Sequence, residues 1–178
     1  FALGGAAVVT GGLRGIAVSP IAVVSRGHSY GATVAGLGTV AEGSMRGINV
    51  AGLATVAQGD MAGISVAGLA NVAQGSMTGL NLGGLANVAQ GRLRGINLAG
   101  LALVGSGGVA GLNLAGLAIT SDRAPISGLN LTLGAIETDG PVRWVSFAGY
   151  KVDSPDVRGL SINPIRLKAV DLSGVAIG

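Results

Sequence analysis

Apolar and polar residues alternate along this chain in short runs that break every few positions and then start again. Ile48, Val50, Leu53, Val56 and Met61 are followed sixteen residues later by Ile64, Val66, Leu69, Val72 and Met77. Successive intervals are 2, 3, 3, 5 and 3. An amphipathic helix needs intervals of 3 and 4 sustained, and a long half-buried strand needs 2 sustained. Neither fits, but short period-2 strands separated by corners do. Val and Ile within the runs suit strands. Gly at the breaks suits corners, where the backbone turns to positive φ or approaches a neighbour closely.

The breaks are periodic. A first Gly recurs at Gly15, Gly31, Gly47, Gly63, Gly79, Gly95 and Gly111, and slips by one residue to Gly128. A second lies at Gly36, Gly52, Gly68, Gly84, Gly100 and Gly116, and a third at Gly27, Gly43, Gly59, Gly75, Gly91 and Gly107. A fixed period of this length is the signature of a repeat architecture whose units bury their apolar sides only against one another. The expected fold is all-β, a β-solenoid (β-helix) of about 16 residues per coil. Roughly eleven coils at about 4.8 Å each give a rod of about 50 Å. In this reading the large apolar slots form interior ladders, while Asn49, Ala51, Ala54, Thr55 and Ala57 face outward.

Two polar columns run through the repeat. One holds Asn49, Asn81, Asn97, Asn113 and Asn130, with Ser65 as a variant; the other holds Thr39, Thr55, Asn71 and Asn87. These amides either hydrogen-bond along the stack or form a display ladder on the surface, and the first column is the candidate display site. Charges keep the same register: Glu42, Arg46, Asp60, Arg92 and Arg94 fall in the short segment before the next first Gly, so one edge of the rod is charged.

The regular solenoid is assigned to residues 1–127 and an irregular β continuation to 128–178. In the latter, GLNLTLGAIE and PVRWVSFAGYKV read as longer strands joined in a hairpin at Thr138-Asp139-Gly140. Asp153 to Asp156, with Pro155, reads as a polar loop. After it GLSINPIRLKAVDLSGVAIG resumes the rhythm. The chain begins at Phe1 inside a repeat-like phrase, so both ends read as cuts through a longer array.

The alternative architecture is a transmembrane β-barrel of 16-residue strand–turn units with charges confined to turns. Missing aromatic girdles weigh against it, because only 3% of the 178 residues are aromatic. Hydropathy alone would mark Met61 to Gly91 as a membrane helix, since it carries no charge. Its interior glycines each cost a helix roughly 1 kcal/mol and oppose that assignment.

Composition narrows the picture further. The 34 Gly come without a Gly-X-Y period, which excludes collagen, and 49% hydrophobic content with 11% charge excludes a disordered tail. There is no Cys, which excludes a disulfide scaffold or a cysteine metal site and fits an exported protein. The net charge of +3 includes no run of like charges, so nucleic acid is not an expected partner.

The phrases RGINVAGLATVA, TGLNLGGLANVA and SGVAIG resemble the surface-repeat proteins first named from leptospiral cell-surface proteins and found widely in bacteria. The match is nearest over Gly79-Leu80-Asn81-Leu82-Gly83-Gly84-Leu85-Ala86-Asn87-Val88-Ala89. It covers about 15–127 well and 157–178 loosely, and this chain has a longer repeat with extra Gly. The resemblance implies an exported protein of the cell surface or outer membrane, of unknown activity, and transfers no catalytic residues.

Few residues carry a recognisable chemical pattern. His28 is the single histidine, and no His, Asp or Glu cluster surrounds it in the sequence. No Gly-x-Ser-x-Gly elbow occurs, and the fingerprint-like Gly36-Leu37-Gly38-Thr39-Val40-Ala41 falls inside the repeat, outside any βαβ unit. Trp144, Phe147 and Tyr150 form a candidate aromatic contact region, read either as core or cap packing or as a sugar-stacking surface. A carbohydrate-binding or carbohydrate-active solenoid would use these with Glu137, Asp139, Asp153 and Asp156. The leading expectation is a non-enzymatic surface or envelope protein without cofactors. It would self-associate, or form filaments, through flat repetitive faces or open solenoid ends, or associate with the envelope membrane; any small-molecule ligand is left unassigned.

Overall fold

A computed structural model describes residues 1–122 and 124–177; the last Gly of the SGVAIG phrase lies outside the described residues. Each coil of the repeat supplies one seven-residue and one four-residue strand, as in Met45–Ala51 and Ala54–Ala57. The long strands stack into a 12-stranded sheet and the short ones into an 11-stranded sheet. All neighbours are parallel and one coil apart, so the chain winds as a β-solenoid and no consecutive strands pair. A barrel of consecutive strand–turn units would pair them antiparallel, so the barrel alternative is not the fold.

Pairing sets equivalent residues side by side. Met45 pairs with Met61, Gly47 with Gly63, Ile48 with Ile64 and Val50 with Val66. Hydrogen bonds between coils continue round the corners: Leu53 N–H donates to Leu37 C=O at 2.8 Å, and Met45 N–H to Asp60 C=O at 2.8 Å. Corner backbone is thereby satisfied without helices or long loops. The first Gly lies within the long strand, at its third position, where the backbone takes a positive φ. Gly47 has φ 116°, and a Cβ there would collide with the carbonyl oxygen of Gly31 in the preceding coil.

The C-terminal third continues the same winding, and the expected hairpin at Thr138-Asp139-Gly140 does not form. Ala135–Thr138 pairs in parallel with Ala118–Ser121 and with Lys151–Asp153. Val142–Ala148 pairs in parallel with Ile126–Thr132 and with Asp156–Ile162. The turn residues instead build a coil corner, where Thr138 Oγ1 donates to Ala124 C=O at 2.9 Å and accepts from Gly140 N–H at 2.9 Å. Irregularity survives in coil length. The step from Gly111 to Gly128 is one residue longer than the repeat, and that from Trp144 to Gly159 is one shorter.

The core corrects the expected facing of the strands. Met45, Met61, Met77 and Leu93 are buried as expected, but Asn49, Ala51, Thr55 and Ala57 are buried with them. Ile48 and Leu53 stand outside, 47% and 45% exposed, and Val50 and Val56 are half-buried. Side chains alternate faces along a strand, so a shift of one position exchanges the two sets completely. From Met45 to Ala89 the interior between the sheets is therefore narrow and filled by Ala, Asn, Thr and Ser, with one large side chain per coil. From Leu103 onward the buried position of the short strand turns aliphatic, as Leu103, Ile119, Ile136 and Val152.

Candidate functional site

The candidate display column is inside the rod. Asn49, Asn81, Asn97, Asn113 and Asn130 are each at most 1% exposed and cannot present a surface. Their carboxamides hydrogen-bond along the stack, as the other sequence reading allowed. Asn81 Nδ2 donates to Asn97 Oδ1, Asn97 Nδ2 to Asn113 Oδ1 and Asn113 Nδ2 to Asn130 Oδ1, each at 2.8 Å. A primary amide has both a donor and an acceptor end. Identical amides on stacked coils can therefore satisfy each other without water.

The second polar column is also internal and ties the two sheets together. Thr55 Oγ1 donates to Asn71 Oδ1, and Asn71 Nδ2 donates to Asn87 Oδ1 at 2.8 Å. Asn71 Nδ2 also reaches Leu82 C=O, and Asn87 Nδ2 reaches Leu98 C=O, both at 2.8 Å and both on the opposite sheet. Inside a low-dielectric stack such bonds rigidify the register, and an unpaired member is costly.

The three aromatics all point outward and are not brought together. Trp144 is 71% exposed, and Phe147 and Tyr150 are also exposed, so none packs in the core. They lie three residues apart along one coil that bends at Gly149 and Tyr150, and among the described residues no aromatic contact joins them. A single stacking platform does not form. Trp144 takes the place of a first Gly, between Gly128 and Gly159, with φ 83°.

His28 sits on the polar edge. Its Nδ1 accepts from Ser44 N–H at 3.0 Å, and its ring lies 6.0 Å from Tyr30. The pattern repeats down the edge: Ser44 Oγ accepts from Asp60 N–H at 3.2 Å, Asp60 Oδ1 from Ser76 N–H at 2.7 Å, and Ser76 Oγ from Arg92 N–H at 3.1 Å. These charged and polar residues serve the corner backbone. Among the described residues no group of three His, Asp or Glu is placed to hold a metal ion.

Of the acidic residues near the C-terminus, Glu137, Asp139 and Asp153 line one open polar pocket with Asp122, and Glu137, Asp153 and Asp156 are in ion pairs. Lys151 Nζ lies 2.6 Å from Glu137, Lys168 Nζ lies 3.6 Å from Asp153, and Arg158 Nε lies 2.8 Å from Asp156. The hydrogen bond to Glu137, then that residue's negative charge, raises the Lys151 pKa above its usual 10.5.

What the interior reading missed is the outer surface. On the long-strand sheet one outward row runs Ile16, Ala32, Ile48, Ile64, Leu80, Ile96, Leu112, Leu129 and Val145. A second runs Val34, Val50, Val66, Leu82, Leu98, Leu114, Leu131 and Phe147. At the corner Leu37, Leu53, Leu69, Leu85, Leu101 and Leu117 make a third, exposed row. Between the second and third rows runs an axial groove floored by Gly and Ala, as at Ala99, Gly100, Ala115 and Gly116. Soluble monomers rarely expose contiguous apolar patches larger than a few hundred Å², so this face is the candidate interaction site. The sequence carried a signal for it: Arg46, Ile48 and Val50 have the same strand parity, and the charged residue fixes that parity as outward.

Comparisons with protein-family models, with curated proteins and with solved structures find no match for the chain.

Proposed function

We propose that this chain is a non-enzymatic structural or interaction protein that works through the aliphatic outside of its solenoid. The observation that carries this reading is the set of exposed Ile, Val and Leu rows on stacked coils. An apolar exterior over an interior whose amides largely bond to one another places the available free energy of association on the outside. Burying apolar surface is worth roughly 25 cal/mol per Å², and a row of side chains contributes in proportion to its length. The residues near Lys151 and Asp153 spend their charges on each other.

We place the protein at the bacterial cell surface or envelope, a location supported by the resemblance to surface-repeat proteins. Its test is labelling of intact and lysed cells with a membrane-impermeant reagent. Equal labelling in both supports a surface location, whereas labelling only after lysis contradicts it. The interaction reading is tested by changing Leu53, Leu69 and Leu85 to Ser together. The variant should keep its β circular-dichroism spectrum and lose association with the envelope fraction. Retained association with an intact fold would contradict the reading.

A further inference from the structure

We propose that the outer face of the 12-stranded sheet docks a second copy of this chain, face to face, with the two rods parallel and related by a twofold axis along the solenoid. This rests on the reading of the outer surface as an interaction site and names its occupant.

The two sheets differ in what they present. The short-strand sheet shows Ala and Val over its first part, as at Ala54 and Val56, but ends in Glu137, Lys151, Asp153 and Lys168. Covering that end would take ion pairs out of water, at a cost their attraction does not reliably recover. The long-strand sheet stays aliphatic to its last strands, where Leu160, Ile162, Val175 and Ile177 continue the two rows. It is the face that can be covered along its whole length.

Size is the second argument. Twelve strands stacked at about 4.8 Å with an apolar width of about 15 Å give roughly 800 Å² per copy, or about 1,600 Å² for the pair, within the range of stable specific interfaces. A self-complementary interface of this kind closes with twofold symmetry and leaves no second sticky surface of the same type.

Charge selects the orientation. Beside the aliphatic rows, on one edge only, lies a column containing Arg14, Arg46, Arg94, Arg143 and Arg158. The remaining residues of that column are uncharged, and Asp156 pairs with Arg158 at its far end. Face-to-face rods have two twofold choices. An axis across the rod makes them antiparallel and superposes the two arginine edges, which repel. An axis along the rod makes them parallel and sends the arginine edges to opposite sides, each beside the partner's Leu corner. Like charges directly opposed are a device against wrong pairing.

The test uses the full chain, which has no Cys, so single labels can be placed at Ile16→Cys and, separately, at Leu129→Cys. Both positions lie in one outward row. Light scattering after size exclusion should give the mass of a dimer. Spin labels should then report self-distances on the order of 10–20 Å at both positions, set by the spacing of packed sheets. An antiparallel dimer places at least one of the two on the order of 30 Å from its copy, given the rise between coils, and overturns the orientation. The double variant Ile64→Lys with Ile96→Lys should be monomeric with an unchanged β spectrum, while Val72→Lys on the other sheet should remain dimeric. A wild-type monomer that binds phosphatidylglycerol vesicles makes the occupant a lipid surface, overturning self-docking but keeping the interaction reading. A wild-type monomer that binds no vesicle overturns both.

Discussion

Asn97 donates its side-chain amide to Asn113 across 2.8 Å, and both side chains are fully buried. The same atom pair recurs from Asn81 to Asn97 and from Asn113 to Asn130. The donor always points toward the C-terminal coil, so the interior has a direction. Amide ladders of this kind accompany in-register stacking of identical strands.

The ladder is broken at Ser65, and the break makes a prediction. Thr33 Oγ1 donates to Asn49 Oδ1, but Asn49 Nδ2, Ser65 Oγ and Asn81 Oδ1 are buried without partners. Ser65→Asn offers an acceptor to Asn49 and a donor to Asn81 at once. It should stabilise the fold by about 1–3 kcal/mol, the cost of leaving such groups unsatisfied. Urea unfolding measures it; a lowered midpoint would show that the space at position 65 does not admit an amide.

Trp144 stands at a glycine position with φ 83° and 71% exposure. A non-glycine residue there costs on the order of 1–3 kcal/mol of backbone strain. Its exposed ring returns little by burial. Trp144→Gly should therefore raise thermal stability, by an amount near the lower end of that range. A fall in the unfolding temperature would mean that the indole makes contacts worth more than the strain.

The period, the parallel winding and the glycine corners were legible in the sequence because each depends on spacing alone. Gly47 and Gly63 must coincide in the stack whichever face their neighbours show. The direction of Ile48 and Asn49 depends instead on which set the narrow interior can hold. Hydrophobicity alone favours Ile48 inside, yet stacked amides pair with each other and lose the usual penalty for burial. The hairpin at Thr138 failed for a related reason: its turn residues were read locally, while parallel partners one coil away on either side were competing for the same strands.

The facing of the strands predicts an asymmetry between substitutions. Met61→Ala empties a fully buried position and should cost about 2–5 kcal/mol. Ile48→Thr, at an exposed position with β-branched geometry retained, should change stability by about 0.5 kcal/mol or less. Comparable losses at both positions in dilute monomeric protein would be inconsistent with an outward Ile48.

The Lys151–Glu137 pair gives a pH dependence whose sign follows from the raised lysine pKa. A group raised on folding stabilises below its unfolded value and loses that contribution as pH rises through the folded value. Wild type should therefore be slightly more stable than Glu137→Gln at neutral pH, and the two should converge above pH 10.5, past the raised pKa. Both groups are solvated, so the difference is small. Paired denaturation curves at neutral and alkaline pH measure it; a gap that widens with pH would contradict the assignment.

The inward amide ladder is tested most directly by hydrogen exchange at the side-chain amide of Asn97, followed by nuclear magnetic resonance in the folded protein. Buried and hydrogen-bonded on the stack, its Nδ2 protons should exchange only through unfolding and be protected like core backbone amides. Exchange at the rate of a free primary amide would place Asn97 on the outside and contradict the account.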